Sequence, residues 1–438
     1  MDLIFKISAG FLVSFLVFAY GVGVGMYRFP PGESLRTLKA FVEGDAAEES
    51  GLIDKLLNDA NIRPARFIYE SGLIDARSHR RMQLVGLNER RDQPMMWLAP
   101  EAPRGFRLIL AAFDFNQTFW GAILIGPDGE VLRAWPLSTD DLRGSTEPSF
   151  RKNLYGAAVL PDGSIIYLMQ ESGGGIVRVD RCGRRLWAVE GSFHHAVSLT
   201  DEGTFWTLGG RQSDFDPVLV EISVEDGEIV NEIDMQEVRA ANPHTHIFDL
   251  QRNEDVEHAV HANDVEPLHR ALAGAFAQFD HRDLLVSYHT TNLVFALDPS
   301  SLEIKWWRIG AWDGQHDPDW NPDGSISVFS NNWRGVGKHS HIVSIDPLNL
   351  RSKRRVDGSP FGFYSRFNGT HQVTPGSTVM VTSATQGRVF EVDRAGDVVF
   401  EFLNVYNAAA GETLHVSDAF FFDEDYFGFL ETGGWSCP

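Results

Sequence analysis

Beyond about residue 105 the apolar positions fall into short alternating runs broken by glycine-containing turns. Three stretches lie over one another: "LYGAAVLPDGSIIYLMQ" from Leu154, "HHAVSLTDEGTFWTLGG" from His194 and "QHDPDWNPDGSISVFSN" from Gln315. Each predicts a strand, a reversal whose acidic-glycine pair suits a tight turn, and a returning strand. A third strand follows in "GGIVRVD", "PVLVEIS", "NLVFALD", "SHIVSID" and "GRVFEVD", and a fourth in "RRLWAVE", "EIVNEID", "EIKWWRI" and "DVVFEFL". Four antiparallel strands recurring about every 40 to 65 residues are the pattern of propeller blades. Six blades are predicted, beginning near residues 110, 154, 194, 261, 315 and 368, with "LHVSDAFFFDEDYFGFL" placed to close the first. The expected fold is all-β, a six-bladed β-propeller over residues 105–438.

The N-terminus has another pattern. "ISAGFLVSFLVFAYGVGVGMY", residues 7–27, carries no charge over 21 positions. That length crosses a bilayer core of roughly 30 Å at about 1.5 Å per residue. A cleaved signal needs a shorter apolar core and a small-x-small site, so residues 1–28 read as a signal-anchor, a single transmembrane helix. Residues 29–104 are expected as a short helical stalk or linker, because apolar residues recur at helical spacing within 33–62. Lys6 precedes the span and Arg28, Arg36 and Lys39 follow it, a charge count that opposes export of the body.

The repeat gives the polar residues of the inner strands a meaning. In a propeller the first strand of each blade lines the central channel, so equivalent starts converge on one axis. Counting back eight positions from the turn glycines leads from Gly203 to His195, from Gly324 to His316 and from Gly163 to Tyr155. His261, in "HANDVEPL", opens the inner strand of the intervening blade. Three imidazoles at equivalent positions, among 15 in the chain, make a candidate reactive cluster. His371 is only five positions before Gly376 and is off this register, whereas His415 opens the terminal strand as a fourth candidate axial imidazole. The insert at about 235–260 is long for an inter-blade turn and reads as a candidate lid, carrying His244 and His246.

Composition narrows the partners. The net charge of −22 over 438 residues excludes a phosphate-rich partner such as nucleic acid. Cys182 and Cys437 are the two cysteines; they have no metal-ligand spacing and read as separate thiols.

These residues carry a resemblance. "HHAVSLTDEG", "HANDV", "DLLVSYHTTNLVFALDPSSLEIKWWRIG", "QHDPDWNPDGSISVFSN" and "GTHQVTPGSTVMVTSATQGRVFEVDRAGDVVFEF" resemble, in order and spacing, the bacterial arylsulfate sulfotransferase family over roughly residues 150–405. The resemblance implies a nucleotide-independent transferase, without cofactor or metal, that moves a sulfuryl group from an aryl sulfate donor to a phenolic acceptor. It implies that His316 is the nucleophile that becomes a sulfohistidine, and that His195 and His261 hold sulfuryl oxygens or pass protons. It also implies a body outside the cytoplasm, on the periplasmic side of the inner membrane. The chain departs from the family at Tyr288, where the family carries an Arg that binds the sulfuryl group; Tyr supplies neither the charge nor the bidentate fork. Tyr155, Tyr288, His289, Arg334 and Arg366 are the candidate substrate-binding residues, with Lys338 a further nearby charge. Two other readings remain open: a metal enzyme with His195, His261, His316 and His415 as ligands, backed by Asp264 and Asp317, and an inactive propeller serving as a binding platform.

Overall fold

The computed structural model describes residues 78–428, apart from 117, 139–141, 143–152, 171–173, 210–217, 249–260 and 336–338. The anchor over 1–28, the helical pattern in 33–62, Lys338, Cys437 and residues 249–260 of the candidate lid lie outside the described residues. Among the described residues no helix is long and apolar enough to cross a membrane.

Six antiparallel sheets follow one another along the chain as six blades. Blades two to five each use four consecutive strands, with inner strands Asn153–Val159, Phe193–Leu199, Ala262–Pro267 and Gln315–Trp320. The middle strands read as unbroken apolar runs because neighbouring blades cover both of their faces. Leu284–Tyr288 and Leu293–Leu297, for example, are buried at every position. The outermost strands face water on one side, and Ile229–Asp234 is exposed over its first four residues.

The ring closes as the terminal apolar run predicted. Val416–Phe422 is the inner strand of the first blade and pairs with Phe106–Ala112, so one blade draws on both ends of the chain. The sixth blade, with inner strand Thr370–Val373, gains two strands: Met95–Leu98 pairs with Val398–Leu403, and Arg80–Arg81 pairs with Met95–Leu98. This corrects the expected stalk over 29–104, because the end of that stretch is propeller sheet. Cys182 is disulfide-bonded, which overturns the reading of two separate thiols; the chain's other cysteine is Cys437.

The inner strands are irregular where they line the channel. Five of the six shift register against their neighbour: between Leu154 and Ala157, His194 and Ser198, Ala262 and Asp264, His316 and Asp319, and Val416 and Asp418. A bulge breaks the strict alternation of a strand, so consecutive residues can face the same side. His195, His261 and Asp317 have positive φ of 64°, 28° and 53°, a left-handed backbone that non-glycine residues adopt at a cost. Gly156 shows how closely the inner strands approach, since a Cβ there would lie 2.1 Å from the carbonyl oxygen of His195.

Candidate active site

The axis holds a cavity of about 480 Å³, running from the strand starts at Leu154, His195 and His316 to the turn ends at Pro322 and Pro375. Its wall has two layers, set by distance from the turn glycines. Eight positions back stand Tyr155, His195, His316 and Asn368; five positions back stand Ala158, Ser198, Asp319 and His371, and all eight line the cavity. His371 is therefore axial, which corrects its reading as off register: it is the counterpart of Asp319, one layer deeper. His415 lines the cavity as expected, edge-on to Trp120 with ring centres 6.2 Å apart.

The upper layer is a cluster of imidazoles. The His195 ring centre is 5.1 Å from His261 and 6.5 Å from His316, and His289 is 5.1 Å from His316 and 5.7 Å from His261. Tyr155 packs 5.0 Å from His195, and Nδ1 of His194 lies 2.9 Å from Nδ1 of His195. His195 and His316 line the cavity; His261 and His289 stand behind them, with Trp333 5.6 Å from His289.

His316 is held in one tautomer. Its Nδ1 lies 2.8 Å from Oδ1 of Asn331. The Asn331 amide donates through Nδ2 to the carbonyls of Ser365 (2.9 Å) and Asn368 (2.8 Å), which leaves Oδ1 as the acceptor. The His316 proton therefore sits on Nδ1 and the lone pair on Nε2. Asp317, next to His316 in sequence, does not do this: it bonds His371 instead, 2.7 Å from its Nδ1. Asn331 closes the returning strand of the "QHDPDWNPDGSISVFSN" repeat, and that placement was the only signal for it.

Burial keeps His195, His289, His316 and His415 neutral. His316 is pushed down to about 3 by burial first and then by the neighbouring His289. His289 falls to about 4 through burial, then His261 and Arg334. His195 is driven well below its usual range by burial and by His261, and His415 falls to about 4 through burial alone. An unfolded histidine takes up its proton near pH 6.5. These groups thus leave folding free energy untouched above that pH and withdraw it as pH falls towards 4, where only the unfolded chain is protonated. Wild type is expected to lose its stability advantage over His415→Gln across this window, by up to about 3 kcal/mol. Urea midpoints of the two proteins, measured from pH 7.5 down to 4, check this; a gap that stays constant contradicts it.

The lower layer is acidic. Asp264, Glu266, Asp317, Asp319 and Asp418 line it, and among the described residues no lysine or arginine does. Burial and mutual repulsion raise Asp264 and Asp319 well above the carboxylate range, while Glu266 rises to about 7 and Asp418 to about 8, both mainly through burial.

The other candidate residues divide. Tyr288 is in the hydrophobic core between the third and fourth blades, 1% exposed against Phe248 and Phe295, and does not line the cavity. The strand's alternation turns it away from the axis, so it does not stand in for the family Arg. Arg334 is exposed, its guanidinium 5.3 Å from the Trp333 ring and its charge felt by His289. Arg366 is exposed over Phe367 and does not line the cavity. His244 and His246 are exposed beside the helix Met235–Ala241. His195, His261, His316 and His415 do not gather as one ligand set; among the described residues the group with metal-ligand spacing is Asp317, Asp319 and His371.

Residues 156–405 match the model of the family described as Arylsulfotransferase (ASST). No curated protein matches the chain. Similar solved structures include a protein of unknown function from Bacteroides caccae, at 13% identity over 74% of this chain and 100% of that one, TM-score 0.49. TolB from Acinetobacter baumannii is similar at 11% identity over 73% of this chain and 67% of its own, TM-score 0.45. Virginiamycin B lyase from Staphylococcus aureus is similar at 10% identity over 70% and 87%, TM-score 0.38. The family match spans more than half of the chain and takes in the histidine-bearing inner strands from His195 to His371: this propeller belongs to the arylsulfotransferase family.

Proposed function

We propose that the protein transfers a sulfuryl group from an aryl sulfate to a phenolic acceptor through a covalent sulfohistidine at His316. The observation that carries this reading is the Asn331–His316 pair, which presents a neutral Nε2 lone pair beside the neutral imidazoles of His195 and His289. In the first step Nε2 attacks sulfur, the ester S–O bond breaks, and the phenolate leaves with the bonding pair. The ring that results carries positive charge, and Asn331 Oδ1 stabilises it through the Nδ1 proton. In the second step the acceptor oxygen attacks sulfur, the N–S bond breaks with its pair returning to Nε2, and the phenol proton passes to a neighbouring imidazole. In this reading His195, which lines the cavity, donates an N–H to the sulfuryl oxygens, where charge shifts during transfer, and His261, packed against it, supports that ring or passes protons. Arg334, whose charge reaches His289, supplies a fixed positive charge for an anionic donor.

The test is a donor assay on purified protein with 4-nitrophenyl sulfate and phenol, with and without added divalent cation. Acceptor-dependent nitrophenolate release with ping-pong kinetics is expected. No release under either condition, from folded protein, overturns the reading and leaves the binding platform. Asn331→Ala is expected to lower kcat by roughly 10- to 100-fold with little change in KM for the donor, because the tautomer is no longer fixed. An unchanged kcat would remove Asn331 from the mechanism.

We extend the proposal to location: the apolar run at residues 7–27 supports a single-pass anchor in the inner membrane with the propeller in the periplasm. Recovery in the membrane fraction, and protease access to the propeller in spheroplasts but not in intact cells, is the expected result.

A further inference from the structure

The transfer chemistry uses the imidazole layer and leaves the acidic layer unexplained. Its carboxylates come from three blades: Asp264 and Glu266 from the fourth, Asp317 and Asp319 from the fifth, and Asp418 from the first. His371 joins them from the sixth. Among the described residues no lysine or arginine lines the cavity that holds them. Carboxylates gathered in this way need protons or a cation.

The arrangement favours a cation. Nδ1 of His371 lies 2.7 Å from Oδ2 of Asp317, which also accepts the His371 backbone N–H. This contact places the ring proton on Nδ1 and turns the Nε2 lone pair towards Asp319, whose Oδ2 is 3.4 Å away. A carboxylate behind the imidazole of a metal ligand has the same orienting effect. Adjacent ligands on one ion with bonds of about 2.1 Å stand roughly 3 Å apart. One donor atom from each of Asp317, Asp319 and His371 falls within 4.8 Å of the others. Ser327 Oγ, 2.7 Å from Nε2, is a hydroxyl that can rotate aside.

A second, independent feature points the same way. Among the described residues, Oδ1 of Asn263 and Oγ of Ser417 are buried without a hydrogen-bond partner, on residues only 4% and 5% exposed. Both residues line this cavity, and each directly precedes one of its acids, Asp264 and Asp418. Asn263 Nδ2 is committed to the carbonyl of Gln315 at 2.7 Å, which fixes Oδ1 as the free end of the amide. An amide oxygen among carboxylates cannot be satisfied by them, since they are acceptors when ionised; a cation satisfies all of them at once.

We propose that Asp319 and Nε2 of His371 bind one divalent transition-metal cation of the manganese or zinc class on the propeller axis, with Asp317 orienting the His371 ring from Nδ1 and the cavity-lining Asn263 and Asp264 supplying further oxygens. The nitrogen donor sets the class, because calcium and magnesium prefer all-oxygen shells. Such an ion ties the fifth and sixth blades together at the axis. It also offsets the carboxylates that would repel an anionic donor from His316; that second consequence rests on the transfer reading, whereas the binding does not.

The experiment is a calorimetric titration of the full chain, stripped by chelator, with Mn²⁺ and Zn²⁺ and with Ca²⁺ and Mg²⁺ as comparators. Thermal midpoints are followed in parallel. One Mn²⁺ or Zn²⁺ per chain is expected, with a rise in midpoint. Asp319→Asn, close in shape to the native residue, is expected to weaken binding at least about 10-fold, and His371→Gln to do the same. If His371→Gln fails to fold, Asp319→Asn alone decides. Saturable one-to-one binding lost in the variant establishes the site. No binding, binding unchanged in Asp319→Asn, or tighter binding of Ca²⁺ than of Mn²⁺ and Zn²⁺ overturns it. Nitrophenolate release plays no part in this readout, so failure here is separate from failure of the transferase reading.

Discussion

His316→Ala is expected to lower nitrophenolate release from 4-nitrophenyl sulfate by at least about 10³-fold, because it removes the atom that would carry the sulfuryl group. The fold is expected to survive. The substitution leaves a small cavity and frees Asn331 Oδ1 from one hydrogen bond, worth roughly 1 kcal/mol net. His195→Gln keeps the nucleophile and removes a neighbouring imidazole, so a smaller loss, on the order of 10²-fold, is expected there. The contrast matters more than either value. A nucleophile is not replaceable by its neighbours, whereas one of several donors to sulfuryl oxygens is. Wild-type protein incubated with donor and no acceptor is expected to yield a sulfuryl mass on the peptide containing His316. An adduct on His195 or His289, or full activity in His316→Ala, would move the nucleophile elsewhere in the cluster. The acid limb of kcat/KM belongs at about 3 to 4, following His316 and His289, and not near 6.5 as for an exposed imidazole. A limb at 6.5 would mean that the reacting ring is a hydrated one.

The blades were legible because the acidic-glycine turns repeat, and because alternating apolar runs between them leave one strand assignment open. The eight-residue count brought Tyr155, His195 and His316 to one level of the axis from the same regularity. What stayed hidden was the depth of the channel. The inner strand of the sixth blade pairs without the register shift of its neighbours, and His371 sits five positions from its turn glycine, level with Asp319. A count tuned to the bulged strands misses that layer. Tyr288 shows a second limit: a residue aligned with a functional position can face the core once strand alternation is fixed by burial. Asn331 shows a third, since the partner of a buried imidazole comes from an adjacent strand, and pairing register is not written in either strand alone.

The seam of the ring supplies the largest effect on stability. Arg107, in the strand next to the closing strand, is 1% exposed and places Nε 3.0 Å and Nη2 2.7 Å from Oε2 of Glu391 in the sixth blade. Its guanidinium lies between the rings of Phe400 and Phe421, at 4.8 and 5.1 Å, and Nη2 also donates to the carbonyl of Pro103 at 3.0 Å. One side chain thus ties the first blade, the sixth blade and the closing strand. Arg107→Ala is expected to cost about 3–5 kcal/mol in urea unfolding, because it strands the Glu391 carboxylate in the core as well as opening a void. Arg107→Met combined with Glu391→Met separates those two causes. If stranded charge dominates, the double variant recovers most of the loss or exceeds wild type, as buried pairs replaced by apolar residues commonly do. If the double variant unfolds as readily as Arg107→Ala, the guanidinium's packing between the two phenyl rings and its bond to Pro103 hold the seam. The ion pair would then be secondary to the shape of the residue that carries it.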